Sequence, residues 1–136
     1  MARILAIDYG VKRTGIAVTD ELQLIASGLT TVATDTLLPF LKEYVTKEKV
    51  SLIVVGKPTQ MTGEDSESEV YIRSFLTHLK KEIPTVPFER VDERFTSKMA
   101  VQTMIDGGLK KKKRRDKALV DQISATIILQ SYIHNR

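Results

Sequence analysis

The sequence predicts an α/β fold, in which a mixed five-stranded sheet carries helices on both of its faces. Two nearly continuous apolar runs, at residues 3–9 and 51–56, are typical of strands that are buried on both sides. Three other segments repeat apolar residues at helical spacing and supply the covering helices, at 35–48, 66–83 and 117–134. A meander of strands followed by βαβ units gives a sheet of this mixed kind.

The meander begins at the N-terminus. Gly10 and Gly15 bracket a turn, so the first strand is expected to return at 15–19 as a hairpin. A third strand is expected at 24–33, with Ser27-Gly28 as a bulge. A helix is expected next at 35–48, with Pro39 in its first turn, and then a strand at 51–56. A second helix opens with a Ser66–Glu69 capping box and is followed by a strand at 85–91. Two helices complete the chain, one from Thr96 or Ser97 to Gly107-Gly108 and one at 117–134.

Length and composition restrict the class of protein. A chain of 136 residues suits one domain and is too short for two, so residues 1–136 are predicted to form a single domain. The absence of cysteine excludes disulfides, thiolate catalysis and cysteine-ligated zinc. No apolar run reaches the roughly 18–20 residues of a membrane span, and the first residues lack the pattern of a signal peptide. We therefore expect a cytoplasmic protein with no membrane partner.

The net charge of +4 is concentrated in one segment. Six consecutive basic residues exceed the whole surplus, and they are Lys110, Lys111, Lys112, Lys113, Arg114 and Arg115. Such a run is often only a solvated loop, but this one joins the last predicted helix directly and can reach over it. A polyanionic partner is the favoured interpretation, bound through electrostatic and largely sequence-independent contacts to phosphates.

Most of the 17 acidic residues have a structural explanation, for example as helix-dipole or capping partners at Glu64, Asp65, Glu67 and Glu69. Asp8 is different, because it ends a buried strand on the same face as Ile4 and Ala6. A lone carboxylate there is costly unless a cation or hydrogen-bond donors offset its burial. The structural alternative is a turn cap or a salt bridge to Arg3 or Arg13.

Two other acidic positions also stand out. Asp121 lies on an almost wholly apolar helix, in a strip with Ala118 and Ala125 that allows a close approach to the sheet. Its structural alternative is an acid stabilised by the dipole at the helix N-terminus. Asp92-Glu93 directly follows the last predicted strand, and either acid can be the one that points inward. The alternative there is a charged turn between a strand and a helix.

Together these acids predict an oxygen-ligand metal site. Mg²⁺ and Mn²⁺ prefer carboxylate and water ligands, and two such ions can activate a water and stabilise the leaving oxygen of a phosphodiester. Serine–histidine catalysis is poorly supported, because His78 lies on the polar side of an amphipathic helix and His134 is near the C-terminus. The residues therefore favour a metal-dependent nuclease.

Four segments resemble the motifs of the YqgF/RuvX family, namely AIDYGVKRTGIAVTD at 6–20, VVGKPTQMTG at 54–63, VDERFTS at 91–97 and VDQISATIILQSY at 120–132. The resemblance covers essentially the whole chain. Members of this family are small bacterial ribonuclease-H-like domains, described as Holliday junction resolvases and as nucleases that mature the 5′ end of pre-16S ribosomal RNA. The resemblance implies a ribonuclease-H-like fold with Asp8, Glu93 and Asp121 as the catalytic metal ligands.

The same resemblance makes Arg13 a candidate phosphate contact. Lys57, Arg94 and Lys98 are the other basic residues that we expect near the proposed site. The chain departs from the family pattern where Ser124 replaces a common alanine, and its glycine-rich loop lacks the asparagine that tends to precede the methionine.

Three other functions compete with this interpretation. An aspartate-containing turn that leads into a hairpin also occurs in ATP-handling proteins of the actin-like type, but those need two lobes and this chain supplies one. A non-catalytic nucleic-acid-binding module is expected to lack one of the acids, and none is missing. A Holliday junction resolvase acting on branched DNA needs paired cuts and hence a homodimer. Because every apolar helix stripe is needed to cover one sheet, we expect instead a monomer that acts on structured RNA.

Overall fold

A computed structural model of the chain describes residues 2–58, 67–92 and 116–136. Its strands are β1 (Arg3–Asp8), β2 (Arg13–Thr19), β3 (Ala26–Ala33), β4 (Val50–Lys57) and β5 (Phe88–Asp92). Its helices are α1 (Leu37–Lys47), which follows a 3-10 turn at Thr34–Thr36, then α2 (Glu69–Glu82) and α3 (Lys117–Asn135). The strands form one sheet in the order β3-β2-β1-β4-β5, with β1 antiparallel to β2 and parallel to β4. The predicted mixed five-stranded sheet is confirmed.

Differences between the predicted and observed strands are small and lie at their ends. Strand β2 begins at Arg13, two residues earlier than predicted, because the residues before Gly15 continue the ladder with the end of β3. The predicted bulge is present in β3, one residue further along. Ile16 pairs with Thr30 and Ala17 with Gly28, which leaves Leu29 as the extra residue.

The two faces of the sheet are covered by different helices, as predicted. Helices α1 and α2 pack on one face over large apolar side chains, which include Leu5, Ile7, Ile16, Ile53 and Val55. Helix α3 packs on the other face, where the contacting strand residues are Ile4, Ala6, Ala17 and Val54 and the helix residues are Ala125, Ile128 and Leu129. The alanines on this second face allow α3 to lie close to the backbone of the sheet.

The turn between β2 and β3 holds apolar side chains in an exposed position. Both the Leu24 and the Ile25 backbone N–H groups donate to Asp20 Oδ1 at 2.8 Å, so the turn has a defined shape. Yet Leu22, Leu24 and Ile25 are 57%, 68% and 66% exposed. The expectation of a monomer considered only the apolar helix stripes, and these three side chains are exposed apolar surface that it left out.

The predicted Ser66–Glu69 capping box is also wrong for its second member. Helix α2 begins at Glu69, and the carboxylate binds the side chains of Arg73 and Arg90 instead of capping the helix backbone. Three of the predicted features lie outside the described residues. They are Ser66, the helix that ends at Gly107-Gly108 and the basic run. Within the described ranges no helix has both the length and the apolar character that crossing a membrane requires.

Candidate active site

Asp8 is the last residue of β1, and it lies directly opposite Gly15 on β2. Directly opposed residues on antiparallel strands direct their side chains to the same face of the sheet. At Gly15 an added Cβ atom would lie 2.0 Å from the backbone oxygen of Asp121. Helix α3 therefore touches the sheet at a position where only glycine leaves room, and this contact brings Asp121 next to the end of β1.

The start of α3 is held firmly against the sheet. Asp116 is the N-cap residue, and its Oδ1 accepts hydrogen bonds from the backbone N–H groups of Ala118 and Leu119 at 3.0 and 3.3 Å. Thr31 of β3 donates its hydroxyl to the Ala118 oxygen at 2.6 Å. These contacts fix the first turn of the helix, and Asp121 follows in the next turn.

Asp121 forms an ion pair with Arg13, whose Nε lies 2.5 Å from Asp121 Oδ2. The two side chains are 23% and 36% exposed, and the contacting atoms themselves are buried. Neither atom has a further hydrogen-bond partner in the described part of the chain. Burial raises the pKa of Asp121, and the positive charge of Arg13 offsets only part of that rise. The predicted phosphate contact is thus paired here with a predicted metal ligand.

The residues that are present suit a hard cation. Asp121 offers a buried carboxylate oxygen in contact with Arg13, and Asp8 lies across Gly15 from it. A divalent cation would supply the opposite charge that the burial of this carboxylate requires. Across residues 2–58, 67–92 and 116–136, no cluster of three or more acidic or histidine side chains forms a complete site. Glu93, the third predicted ligand, lies outside these ranges.

The predicted basic residues do not all share this location. Lys57 ends β4, where residues alternate between the faces, and it falls on the side of Ile53 and Val55. That is the face covered by α1 and α2, opposite to the face of Asp8. The structure therefore brings Asp8, Arg13 and Asp121 together but leaves Lys57 on the other side. The remaining basic candidates lie outside the described residues, namely Arg94, Lys98 and the run from Lys110 to Arg115.

A buried ion pair between Glu69 and Arg90 was missed by the sequence interpretation, which assigned Glu69 to helix capping. Glu69 is only 3% exposed, and the hydrogen bonds from Arg90 hold the pKa of its carboxyl below the usual glutamate range. The signal that could have indicated it is Arg90 itself, a charged residue within the predicted strand at 85–91. An arginine that is largely removed from water in a strand is stabilised by an acidic partner.

The described clefts lie away from the two carboxylates. One is lined by Tyr9, Tyr71, Phe75 and His78 among others, on the side of α1 and α2. Another runs between β3 and α3 and has Gln122 among its lining residues. Neither cleft includes Asp8 or Asp121. The two acids lie where β1 ends and where α3 begins.

Solved structures share this fold. RuvC of Thermus thermophilus, in complex with Holliday junction substrate, matches with a TM-score of 0.58 and 17% identity, over 98% of this chain and 94% of that chain. The Holliday junction resolvase of fowlpox virus matches with a TM-score of 0.51 and 14% identity, over 97% of each chain. These matches confirm the ribonuclease-H-like α/β fold.

Sequence relatives are much closer. A protein of Christiangramia forsetii is 66% identical over 134 residues, which cover 98% of this chain and 99% of the relative. One of Flavobacterium psychrophilum is 64% identical, over 98% of this chain and 97% of the relative. Both bear the name pre-16S rRNA nuclease as a provisional assignment. The profile of the RuvX family, described as Holliday junction resolvase, matches residues 2–135. The chain belongs to the RuvX family.

Proposed function

We propose that this chain is a metal-dependent endonuclease that hydrolyses phosphodiester bonds of structured nucleic acid, and that its reaction is the 5′-end maturation of pre-16S rRNA. The observation that carries the proposal is the approach of Asp8 and Asp121 across Gly15, where the contact with Arg13 only partly offsets the burial of the Asp121 carboxylate. Membership of the RuvX family and the names of its relatives support the reaction class. A single domain and a cytoplasmic location belong to the same proposal.

Asp8, Asp121 and Glu93 are the residues that would hold Mg²⁺ or Mn²⁺. The alternation of β5 counts against Asp92 as the third ligand. Val91 packs on the side of α3, whereas Arg90 binds Glu69 on the opposite side. Asp92, two residues after Arg90, falls on the side of Arg90, which is opposite to the face of Asp8. Bound metal ions would supply water activation and stabilisation of the leaving oxygen.

Arg13 has two roles in this proposal. Without a metal ion its guanidinium partly offsets the charge of Asp121. Its side chain is 36% exposed, so it is also within the reach of a substrate phosphate. Both roles need a positive charge at this position, and the forked guanidinium suits the second one better than a lysine ammonium.

Substrate affinity is proposed to come mainly from the basic residues, above all from Lys110 to Arg115. Replacing all six with neutral residues should weaken binding and flatten the dependence of log K on log salt concentration. If about four of them contact phosphates, the slope on duplex DNA should fall by roughly 3–4 units. An unchanged slope would assign binding to Arg13, Arg94 and Lys98 instead.

The experiment that tests the proposal offers the purified protein two substrates with Mg²⁺ or Mn²⁺, a structured RNA precursor and a four-way DNA junction. Asp8→Asn serves as the inactive control, and light scattering gives the mass in parallel. We expect a monomer at micromolar concentration that cuts the RNA in preference to the junction. Failure of the wild type to cleave either substrate would contradict the nuclease assignment itself.

A second candidate function is resolution of Holliday junctions by a homodimer. One structural observation favours it, because the exposed side chains of Leu22, Leu24 and Ile25 offer apolar surface that a dimer could bury. A stable dimer that makes symmetric paired nicks in the junction and leaves the RNA intact would establish this alternative. The three metal ligands would keep their roles in either case.

A further inference from the structure

Arg90 and Glu69 form a bidentate ion pair on the face of the sheet opposite the candidate active site. Arg90 Nη1 donates to Glu69 Oε2 at 3.0 Å, and Nη2 donates to Oε1 at 2.6 Å. Arg73 adds a contact from its Nε to Oε2 at 3.3 Å. Paired contacts of this kind fix the plane of the guanidinium as well as its position. The pair therefore has one defined geometry.

The same guanidinium binds the backbone of the neighbouring strand. Arg90 Nε donates to the Val55 oxygen at 3.3 Å, and Nη2 donates to the Gly56 oxygen at 3.1 Å. These carbonyls belong to the two residues before Lys57, which ends β4. A single side chain thus connects the end of β4, the end of β5 and the first residue of α2.

This connection lies where the chain approaches the candidate catalytic edge. Strands β1, β4 and β5 are parallel, so their carboxyl ends meet at one edge of the sheet, and Asp8 ends β1 there. Strand β5 ends at Asp92, and Glu93 is the next residue. Replacing a buried ion pair with apolar side chains of similar volume is often neutral or stabilising, so stability alone does not account for the pair.

We propose that Arg90 is a positioning residue for the candidate metal site, which Glu69 orients and which fixes the ends of β4 and β5 at the edge of the sheet where β1 ends at Asp8. The inference rests on the proposed function, since it takes Asp8 as a metal ligand. A lysine at this position could keep the charge pair with Glu69. It could not reproduce the planar set of donors that reaches both carbonyls of β4.

The test replaces the pair with methionines, in the double variant Glu69→Met/Arg90→Met of the full chain. Its readouts are the dissociation constant for Mn²⁺, followed by electron paramagnetic resonance, together with kcat, KM and Tm. Loss of residues that orient metal ligands typically lowers metal affinity or activity by about 10–100-fold. We expect a loss of that size in Mn²⁺ affinity and kcat, while KM and Tm stay near the wild-type values. The matched control is Lys42→Met/Glu82→Met, which removes an exposed pair on the same side of the sheet and should change neither quantity.

The conservative variant Arg90→Lys separates positioning from folding and decides the question if the double variant does not fold. We expect it to keep the wild-type Tm within a few degrees and still to bind Mn²⁺ less tightly. A change of less than threefold in Mn²⁺ affinity and kcat, in a folded variant, would overturn the inference while the wild type remained an active nuclease. A wild type that binds Mn²⁺ but cleaves nothing would instead contradict the proposed function, and the Mn²⁺ comparison would still test Arg90.

Discussion

Each face of the sheet carries a carboxylate–arginine pair. The pKa of the acid is shifted in opposite directions in the two pairs. Glu69 uses both oxygens in hydrogen bonds to Arg90, and these bonds hold its pKa below the usual range. Asp121 has one ion-pair contact with Arg13, and burial raises its pKa despite that contact. A partly buried acid is therefore not by itself a sign of function. The acid whose charge is incompletely balanced is the one that a metal ion would stabilise.

The largest expected effect tests the Asp121 side of this comparison. Asp121→Asn, like Asp8→Asn and Glu93→Gln, should lower cleavage by about a thousandfold or more, because metal ligands act as a unit. Binding to nucleic acid should stay within about tenfold, since the affinity comes mostly from basic residues. Single-turnover cleavage and a binding titration measure the two quantities separately.

Asp116→Asn is the matched control, because it makes the same chemical change five residues earlier on the same helix. Asparagine caps a helix about as well as aspartate does, so folding and cleavage should both persist. Full activity in Asp121→Asn would refute the assignment of the site, and Asp116 would then be the next carboxylate to test.

The next largest effect concerns the contact that brings the two acids together. In Gly15→Ala the new Cβ atom would meet the Asp121 backbone oxygen at 2.0 Å, so α3 must move away from the sheet. A displacement of about 1 Å can cost about a hundredfold in rate, and overpacking costs about 1–3 kcal/mol of stability. Cleavage rates and urea unfolding would measure both effects.

Gly28→Ala is the control for that prediction, since it also lies under α3. Its Cβ would meet the side-chain oxygen of Gln122 at 2.9 Å, and that flexible side chain can turn aside. Activity should stay within a few-fold of wild type. Equal effects of the two substitutions would show that the contact at Gly15 has no special role in placing Asp121.

Much of the fold was predictable because the spacing of apolar residues along the sequence determines which side chains face the core. The continuous run at 51–56 and the alanine strip that includes Ala125 correctly predicted an interior strand and a close-packed helix. The pair between Glu69 and Arg90 was not predictable in the same way. The helix-terminal position of Glu69 has a good local explanation, and only the tertiary packing of α2 against β5 shows which partner it meets.

The site was predictable in its residue types but not in its present ion pairing. Asp8 and Asp121 stood out because a carboxylate in an apolar element is costly. That Gly15 is the contact between them depends on the register of β1 with β2 and on the path of α3, which are long-range features. A glycine inside a predicted strand is the signal that could have indicated a close approach.

A third prediction uses the opposite pKa shifts. The lowered pKa of Glu69 means that its ionised form stabilises the folded state above the usual glutamate range, and that this contribution is lost as the pH falls through the lowered value. Glu69→Gln should therefore cost about 2–3 kcal/mol at pH 7, somewhat less than for a fully buried pair because Arg90 is partly exposed. The difference from wild type should shrink in acid below about pH 4. Urea unfolding at several pH values measures it, and a pH-independent difference would contradict the assigned pairing.

The smallest expected effect has the opposite sign. Because burial raises the pKa of Asp121, its ionised form disfavours the folded state at neutral pH, and that penalty disappears as the pH falls below the usual aspartate range. In EDTA, Asp121→Asn should therefore be more stable than wild type, by no more than about 1 kcal/mol because Arg13 and partial exposure already offset much of the penalty. Calorimetric unfolding in EDTA, and then in excess Mn²⁺, measures the sign of the stability difference between the variant and the wild type under both conditions. Added Mn²⁺ should stabilise the wild type by mass action and leave the variant almost unchanged, which reverses their order. A variant that is less stable than wild type in EDTA would mean that Arg13 balances the charge of Asp121 as fully as Arg90 balances that of Glu69. The proposed difference between the two ion pairs would then be refuted.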